Sequence, residues 1–162
     1  VEKAVLREAV LLQMTWNGAP TVYYGDEAGV TGWTDPDNRR TYPWGREDME
    51  LIAFHKAAIS LRKEYPVLRH GSLKQLYGAY GVLAYGRFDE KEKILVALNN
   101  TEEIRTVSIP VWQIGVQAEG TLQNCLMTNR DGFTEFGFSY PVQNGNVLLP
   151  LPPKSAMAVR EI

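Results

Sequence analysis

Between Gly25 and Gly45 the chain sets Asp26, Glu27, Asp35, Asp37, Arg39 and Arg40 among Trp33, Tyr42 and Trp44. Loops longer than about 12–15 residues are functional or disordered in most domains, and large aromatic side chains argue against disorder. Asp35 and Arg39 allow either of two arrangements. They close an Asp-Pro turn as a local salt bridge, or they offer a carboxylate and a planar fork to vicinal hydroxyls, which donate and accept together. Asp26 and Glu27 are neighbours at the exit of an extended run. Adjacent side chains there point in different directions, so the two do not flank one scissile bond; Glu27 is expected to accept hydrogen bonds from loop backbone. His55 is expected at a helix boundary or surface, and His55 and His70 provide no metal-ligand spacing. The single cysteine, Cys125, excludes an intrachain disulfide and is expected as a small buried apolar residue. No metal site and no cofactor is expected.

The elements that must hold this loop follow from periodicity. Val5, Ala9 and Leu12 form a stripe with Leu6 and Val10 beside it, which predicts a helix over Glu2 to Thr15. Asn17-Gly18-Ala19-Pro20 stops it. Thr21-Val22-Tyr23-Tyr24, a β-branched and aromatic run ending at Gly25, predicts a buried strand with polar residues just past its end, where barrel enzymes place their sites. A second helix is predicted from about Arg46 to Tyr65, with Leu51, Phe54, Ala58 and Leu61 on one face, and Pro66 ends it. From about Arg69 the period becomes two. Candidate strands are Ser72–Tyr77, Val82–Phe88, Lys93–Asn99, Ile104–Ile109, Gly120–Met127, Val147–Leu151 and Ser155–Glu161. About seven short strands with turn residues between them indicate an antiparallel sandwich. Ile94–Leu98 is apolar on both faces and is expected to be central, and the runs around Leu148 and Ala158 look similar.

With 162 residues, 44% hydrophobic and 22% charged, the composition is that of an ordinary folded chain. A formal net charge of -2 favours neither nucleic acid nor an anionic membrane, and no apolar run is long enough for a spanning helix. The chain opens at Val1 inside a helical pattern with no capping residue before it, which reads as a cut through a longer protein. The predicted fold is therefore an α+β fragment: helix–strand–loop–helix over residues 1–68, then an all-β antiparallel sandwich over 69–162. An isolated strand at Thr21–Tyr24 would carry unpaired edges, so residues 1–68 are expected either to pack on the sandwich or to self-associate.

Several segments, in this order, resemble the α-amylase family of glycoside hydrolases. Gly18-Ala19-Pro20-Thr21-Val22-Tyr23-Tyr24-Gly25-Asp26-Glu27 is similar to its eighth barrel strand, and Asp35-Pro36-Asp37-Asn38-Arg39 to its Asp-Pro-x-x-Arg loop. Leu61-Arg62-Lys63-Glu64-Tyr65-Pro66-Val67-Leu68 resembles the last barrel helix. Ala97-Leu98-Asn99-Asn100 and Leu149-Pro150-Leu151-Pro152-Pro153-Lys154-Ser155-Ala156 resemble strands of the β-domain. The loop looks most like that of neopullulanases, maltogenic amylases and cyclomaltodextrinases. The resemblance implies that residues 1–68 are the tail of a (β/α)8 barrel, and that the intact enzyme cleaves or transfers α-1,4 or α-1,6 glucosidic bonds of α-glucan oligosaccharides by the retaining, two-carboxylate route. It implies that Asp35 and Arg39 bind a glucose, and that Trp33, Tyr42 and Trp44 either stack on sugar rings or pin the loop. The family's catalytic carboxylates lie on strands that have no counterpart here, so no catalytic residue is assigned and the chain is expected to be inactive alone. The alternative is a non-catalytic carbohydrate-binding or structural interaction module, with the aromatic run Phe133 to Tyr140 as its surface.

Overall fold

The computed structural model describes residues 2–162. Helix α1 spans Lys3–Thr15 and α2 spans Met49–Glu64. Asp48 caps α2, its Oδ1 accepting from Leu51 N at 3.2 Å, which satisfies one of the free N–H groups of the first turn. A short helix α3, Val67–His70, follows Pro66 directly. Pro66 both ends α2 and begins α3, because its fixed φ suits the entry of a helix as well as it disrupts an interior.

The β-domain comprises β1 Ser72–Ala79, β2 Val82–Phe88, β3 Lys93–Asn99, β4 Arg105–Ile109, β5 Thr121–Asn129, β6 Gly132–Thr134, β7 Ser139–Gln143, β8 Asn146–Leu151 and β9 Ser155–Glu161. All pairings are antiparallel, in the order β1-β2-β3-β9-β5-β7-β8-β4, with β6 beside β5. The path curls into a nearly closed sandwich, and few helices accompany it. Strands β6 and β7 were not among the predicted ones. The first has only three residues, and the second carries Pro141, which lacks a ladder donor.

Two apolar clusters fill the molecule. One lies inside the sandwich and joins Leu95, Ala97, Met157 and Val159 to Ile109, Val147, Leu149 and Leu151. The other lies on the outer face and joins Tyr85, Ile94, Val96, Leu126 and Ala158 to Leu11, Met14, Phe54, Ala58 and Leu61 of the helices. Strand β3 feeds both clusters through its two faces, as its doubly apolar pattern predicts. β8 differs: Leu148 is 62% exposed, so this strand is covered on one face only. A bulge in β5 between Asn124 and Leu126 changes the side-chain phase. Leu122 thus enters the inner cluster and Leu126 the outer one, although their spacing would otherwise put them on the same face.

Buried arginines join the helices to the sheet. Arg87 of β2 donates from Nη1 to Thr15 O (2.6 Å) and Leu68 O (2.9 Å), from Nη2 to Gly71 O (2.9 Å), and from Nε to Ser72 O (3.3 Å). These acceptors include carbonyls that the ends of α1 and α3 leave unpaired. Burial, with Arg62 nearby, holds the Arg87 guanidinium below its ordinary pKa. Arg7 of α1 donates to Thr128 Oγ1 (2.7 Å), Glu50 Oε1 (2.7 Å) and Asn129 O (2.6 Å). Side-chain ties of this kind fix where α1 ends and therefore where the loop begins.

Candidate functional site: the Gly25–Gly45 loop

Residues 19–23 adopt no regular secondary structure and pair with no strand among the described residues, contrary to the strand predicted at Thr21–Tyr24. The local sequence supplies β propensity, yet a strand requires partners for its N–H and C=O groups, and none lies alongside. Side chains anchor the segment instead. Gln13 Nε2 donates to Thr21 O at 2.6 Å, and Arg62 of α2 donates to Met14 O, Trp16 O and Gly18 O at 2.8, 3.2 and 2.6 Å. Tyr23 and Tyr24 lie against each other with ring centroids 5.0 Å apart, both about half exposed.

Gly25 turns the chain at φ +92°, and a Cβ there would sit 2.8 Å from Val30 Cγ2, so only glycine fits. Glu27 Oε2 accepts from Gly25 N at 3.0 Å, the backbone role expected of it. Asp26 opens a 3-10 turn, Asp26–Ala28. Burial raises its carboxyl above the usual range; neighbouring Glu27 adds to this and His55 opposes it. His55 is itself buried, 4% exposed, with Nδ1 2.9 Å from Leu51 O, which corrects the boundary or surface position expected of it. The apolar stripe of α2 is wide enough to take in the position between Phe54 and Ala58. Cys125, at the β5 bulge, is half-buried rather than buried, and burial pushes its thiol up.

Asp35 and Arg39 are brought together: Arg39 Nε lies 2.7 Å from Asp35 Oδ1, and both side chains are more than half exposed. Beside them Asp37 accepts from Trp33 N (2.9 Å) and from Arg40 Nε and Nη2 (2.8 and 2.9 Å), and Arg40 holds the Asp37 carboxyl below the usual range. Tyr24 donates its phenolic hydrogen to Arg40 O at 3.0 Å, fastening the loop back to the segment that enters it. The Tyr42 and Trp44 rings lie tilted against each other with centroids 4.6 Å apart, while Trp33 and Trp44 stay 82% and 81% exposed. The loop returns through Asp48 N, which donates to Ala28 O at 3.0 Å, and through the Lys3–Asp48 ion pair. The loop thus combines paired ions held in place, unspent oxygens and nitrogens on those ions, and open indole faces. Such a surface suits a polyhydroxylated ring, whose hydroxyls bond both ways and whose C–H face meets an aromatic. Among the described residues no group of three or more metal-ligating side chains comes together, and no helix is long and apolar enough to cross a membrane.

Residues 71–148 match the family model of the alpha-amylase C-terminal domain. An amylopullulanase of Thermoanaerobacterium thermosulfurigenes is 34% identical over 163 residues, a match covering 94% of this chain and 8% of the relative. A cyclomaltodextrinase of a Bacillus species is 37% identical over 110 residues, covering 65% of this chain and 20% of the relative. The solved structure of the Geobacillus thermoleovorans alpha-amylase complexed with acarbose aligns with a TM-score of 0.83 at 27% identity, over 98% of this chain and 34% of that one. The chain therefore spans about a third or less of the length of each of these proteins.

Proposed function

We propose that the chain is the closing portion of a retaining enzyme acting on α-1,4 or α-1,6 glucosidic bonds, because residues 71–148 match the model of the alpha-amylase C-terminal domain and the proteins it resembles include an amylopullulanase, a cyclomaltodextrinase and an alpha-amylase. On this reading residues 1–68 are the last strand segment and flanking helices of a (β/α)8 barrel, and residues 69–162 form a sandwich that covers its side. Asp35 and Arg39 then hydrogen-bond glucose hydroxyls near the cleavage point, and the open faces of Trp33 and Trp44 flank the sugar. The catalytic carboxylates belong to strands outside these residues, so the 162-residue chain hydrolyses nothing by itself.

The observation that carries this reading is the continuity of the match. The amylopullulanase and alpha-amylase alignments run through α1, the loop and α2 as well as the β-domain. The test is direct: incubate the purified chain with maltotriose, pullulan and cyclodextrins, then follow reducing ends. No release above buffer is expected, and metal-independent turnover would overturn the assignment.

Self-association through residues 1–68 belongs to the same proposal. α1 leaves Val5, Ala9 and Leu12 along an open groove against Leu83, with Trp16 exposed at its end. A compact, monodisperse monomer on size-exclusion chromatography would count against it. One observation favours the second reading, a carbohydrate-binding module. Phe136 and Phe138 are 66% and 43% exposed, and their rings meet edge to face at 4.9 Å on the β-domain surface.

A further inference from the structure

A cleft of about 290 Å³ opens between α2 and β5, away from the Gly25–Gly45 loop. Ser60 and Glu64 of α2, Gln123 of β5, Glu135 of the loop after β6 and Arg160 of β9 reach it, so donors and acceptors of both charges converge there. The Arg160 guanidinium lies 5.7 Å over the Tyr65 ring, a cation–π contact that leaves its N–H edge available. Asn124, 3% exposed, lies in the wall. Its Nδ2 donates to Phe136 O at 2.8 Å and its backbone N to Phe138 O at 2.8 Å, which fixes the amide. Its Oδ1 has no partner among the described residues. A buried acceptor without a donor is uncommon in folded proteins, and the amide lies close enough to the cleft to report on its contents.

We propose that this cleft binds one α-linked glucosyl ring, as a sugar site separate from the Asp35–Arg39 loop. The proposal rests on the α-glucan reading for the identity of the sugar. A volume near the lower end of small-molecule pockets, about 300–1,000 Å³, admits a single ring and not a chain. Glu64 and Glu135 repel a phosphate or carboxylate, and Arg160 disfavours a bare cation. A neutral polyol meets both: its hydroxyls donate to the carboxylates and accept from Arg160 and Gln123.

The experiment is a titration of the 15N-labelled chain with maltose, following the side-chain amide resonances of Gln123 and Asn124. Saturable shifts of both amides are expected. Gln123→Leu and Arg160→Met should each weaken binding roughly tenfold, the loss of one hydrogen bond to a charged or oriented donor. Trp33→Ala should leave the cleft resonances responding as in wild type. Far-UV circular dichroism checks that each variant folds. Unmoved amides at saturating maltose, or shifts untouched by both cleft variants, would overturn the site. Response to maltose but not to cellobiose supports the site and the α-glucan reading together. An equal response to cellobiose keeps the cleft as a sugar site and overturns the α-glucan identity on which it rests.

Discussion

Replacing Glu8 should make the protein more stable at alkaline pH, and progressively less so as the pH falls. Glu8 lies on α1 beside Val5, Ala9 and Leu12, is 4% exposed, and its Oε1 finds no hydrogen-bond partner among the described residues. Burial pushes its carboxyl from 4.5 up to about 7, with Lys154 opposing and Glu2 reinforcing the rise. The sign follows from proton binding. Between those two pH values the folded chain holds the proton more tightly than the unfolded one, so stability falls as pH rises through the window and levels off above it. Each tenfold change in proton affinity is worth about 1.4 kcal/mol, which sets a ceiling of roughly 3 kcal/mol. Solvent in the open groove screens the charge, so about 1–2 kcal/mol is the working expectation.

The assay is urea denaturation of wild type, Glu8→Gln and Glu8→Leu at pH 5 and pH 8. The variants should gain over wild type at pH 8, Glu8→Leu the more, and the gain should shrink at pH 5. The depressed carboxyls of Asp48, lowered by Lys3, and Asp89, lowered by backbone donors, act in the opposite sense and below this window, and they cancel in the difference. Wild type and Glu8→Gln curves that stay parallel from pH 5 to pH 8 would refute the argument, because they would mean that Glu8 ionises in the folded chain as freely as in the unfolded one.

Arg87→Met should destabilise the chain by about 3 kcal/mol or more, since it leaves several buried carbonyls without a donor; the midpoint of thermal unfolding reads it, and a change within error would show that water replaces the guanidinium. Asp35→Asn and Arg39→Met should leave that midpoint within the scatter of wild type, because an exposed ion pair contributes little to stability. The same two variants should abolish any quenching of Trp33 and Trp44 fluorescence by maltotriose, and unchanged quenching would remove both residues from the sugar surface.

How much of this was legible in the sequence depends on whether a feature is local. The boundaries of β2, β3 and β9 are those their patterns predict, because alternation or a doubly apolar run is written into consecutive residues and hydrogen bonding to neighbours only reinforces it. The resemblance to the α-amylase family was legible for the same reason, since its segments are contiguous. The Thr21–Tyr24 strand failed in the opposite way: the pattern for a strand is present, but pairing is a property of the neighbours, and the described residues supply none. Leu148 failed likewise, since nothing local says that only one face of β8 will be covered. The loop's composition pointed to Asp35 and Arg39, and the structure brings them together, yet their facing each other serves a turn as well as a ligand.

Arg7 and Arg87 were invisible beforehand, and the reason is general. Arginine is among the residues least often fully buried, so a pattern reading leaves it on the surface. Only the assembled fold shows that helix ends without capping partners meet β2 at Arg87, and that Thr128 and Asn129 close around Arg7. The unpaired carbonyls at a helix terminus are, however, predictable from any helix assignment. Neither the α1 C-terminus nor the α3 end has a basic residue placed to serve it within its own turn and bonded to it, so a donor from elsewhere in the chain had to arrive. Asking of each predicted helix where its last carbonyls find hydrogen is therefore a question the sequence can pose, and the buried arginine of a neighbouring strand is the kind of answer that only tertiary structure returns.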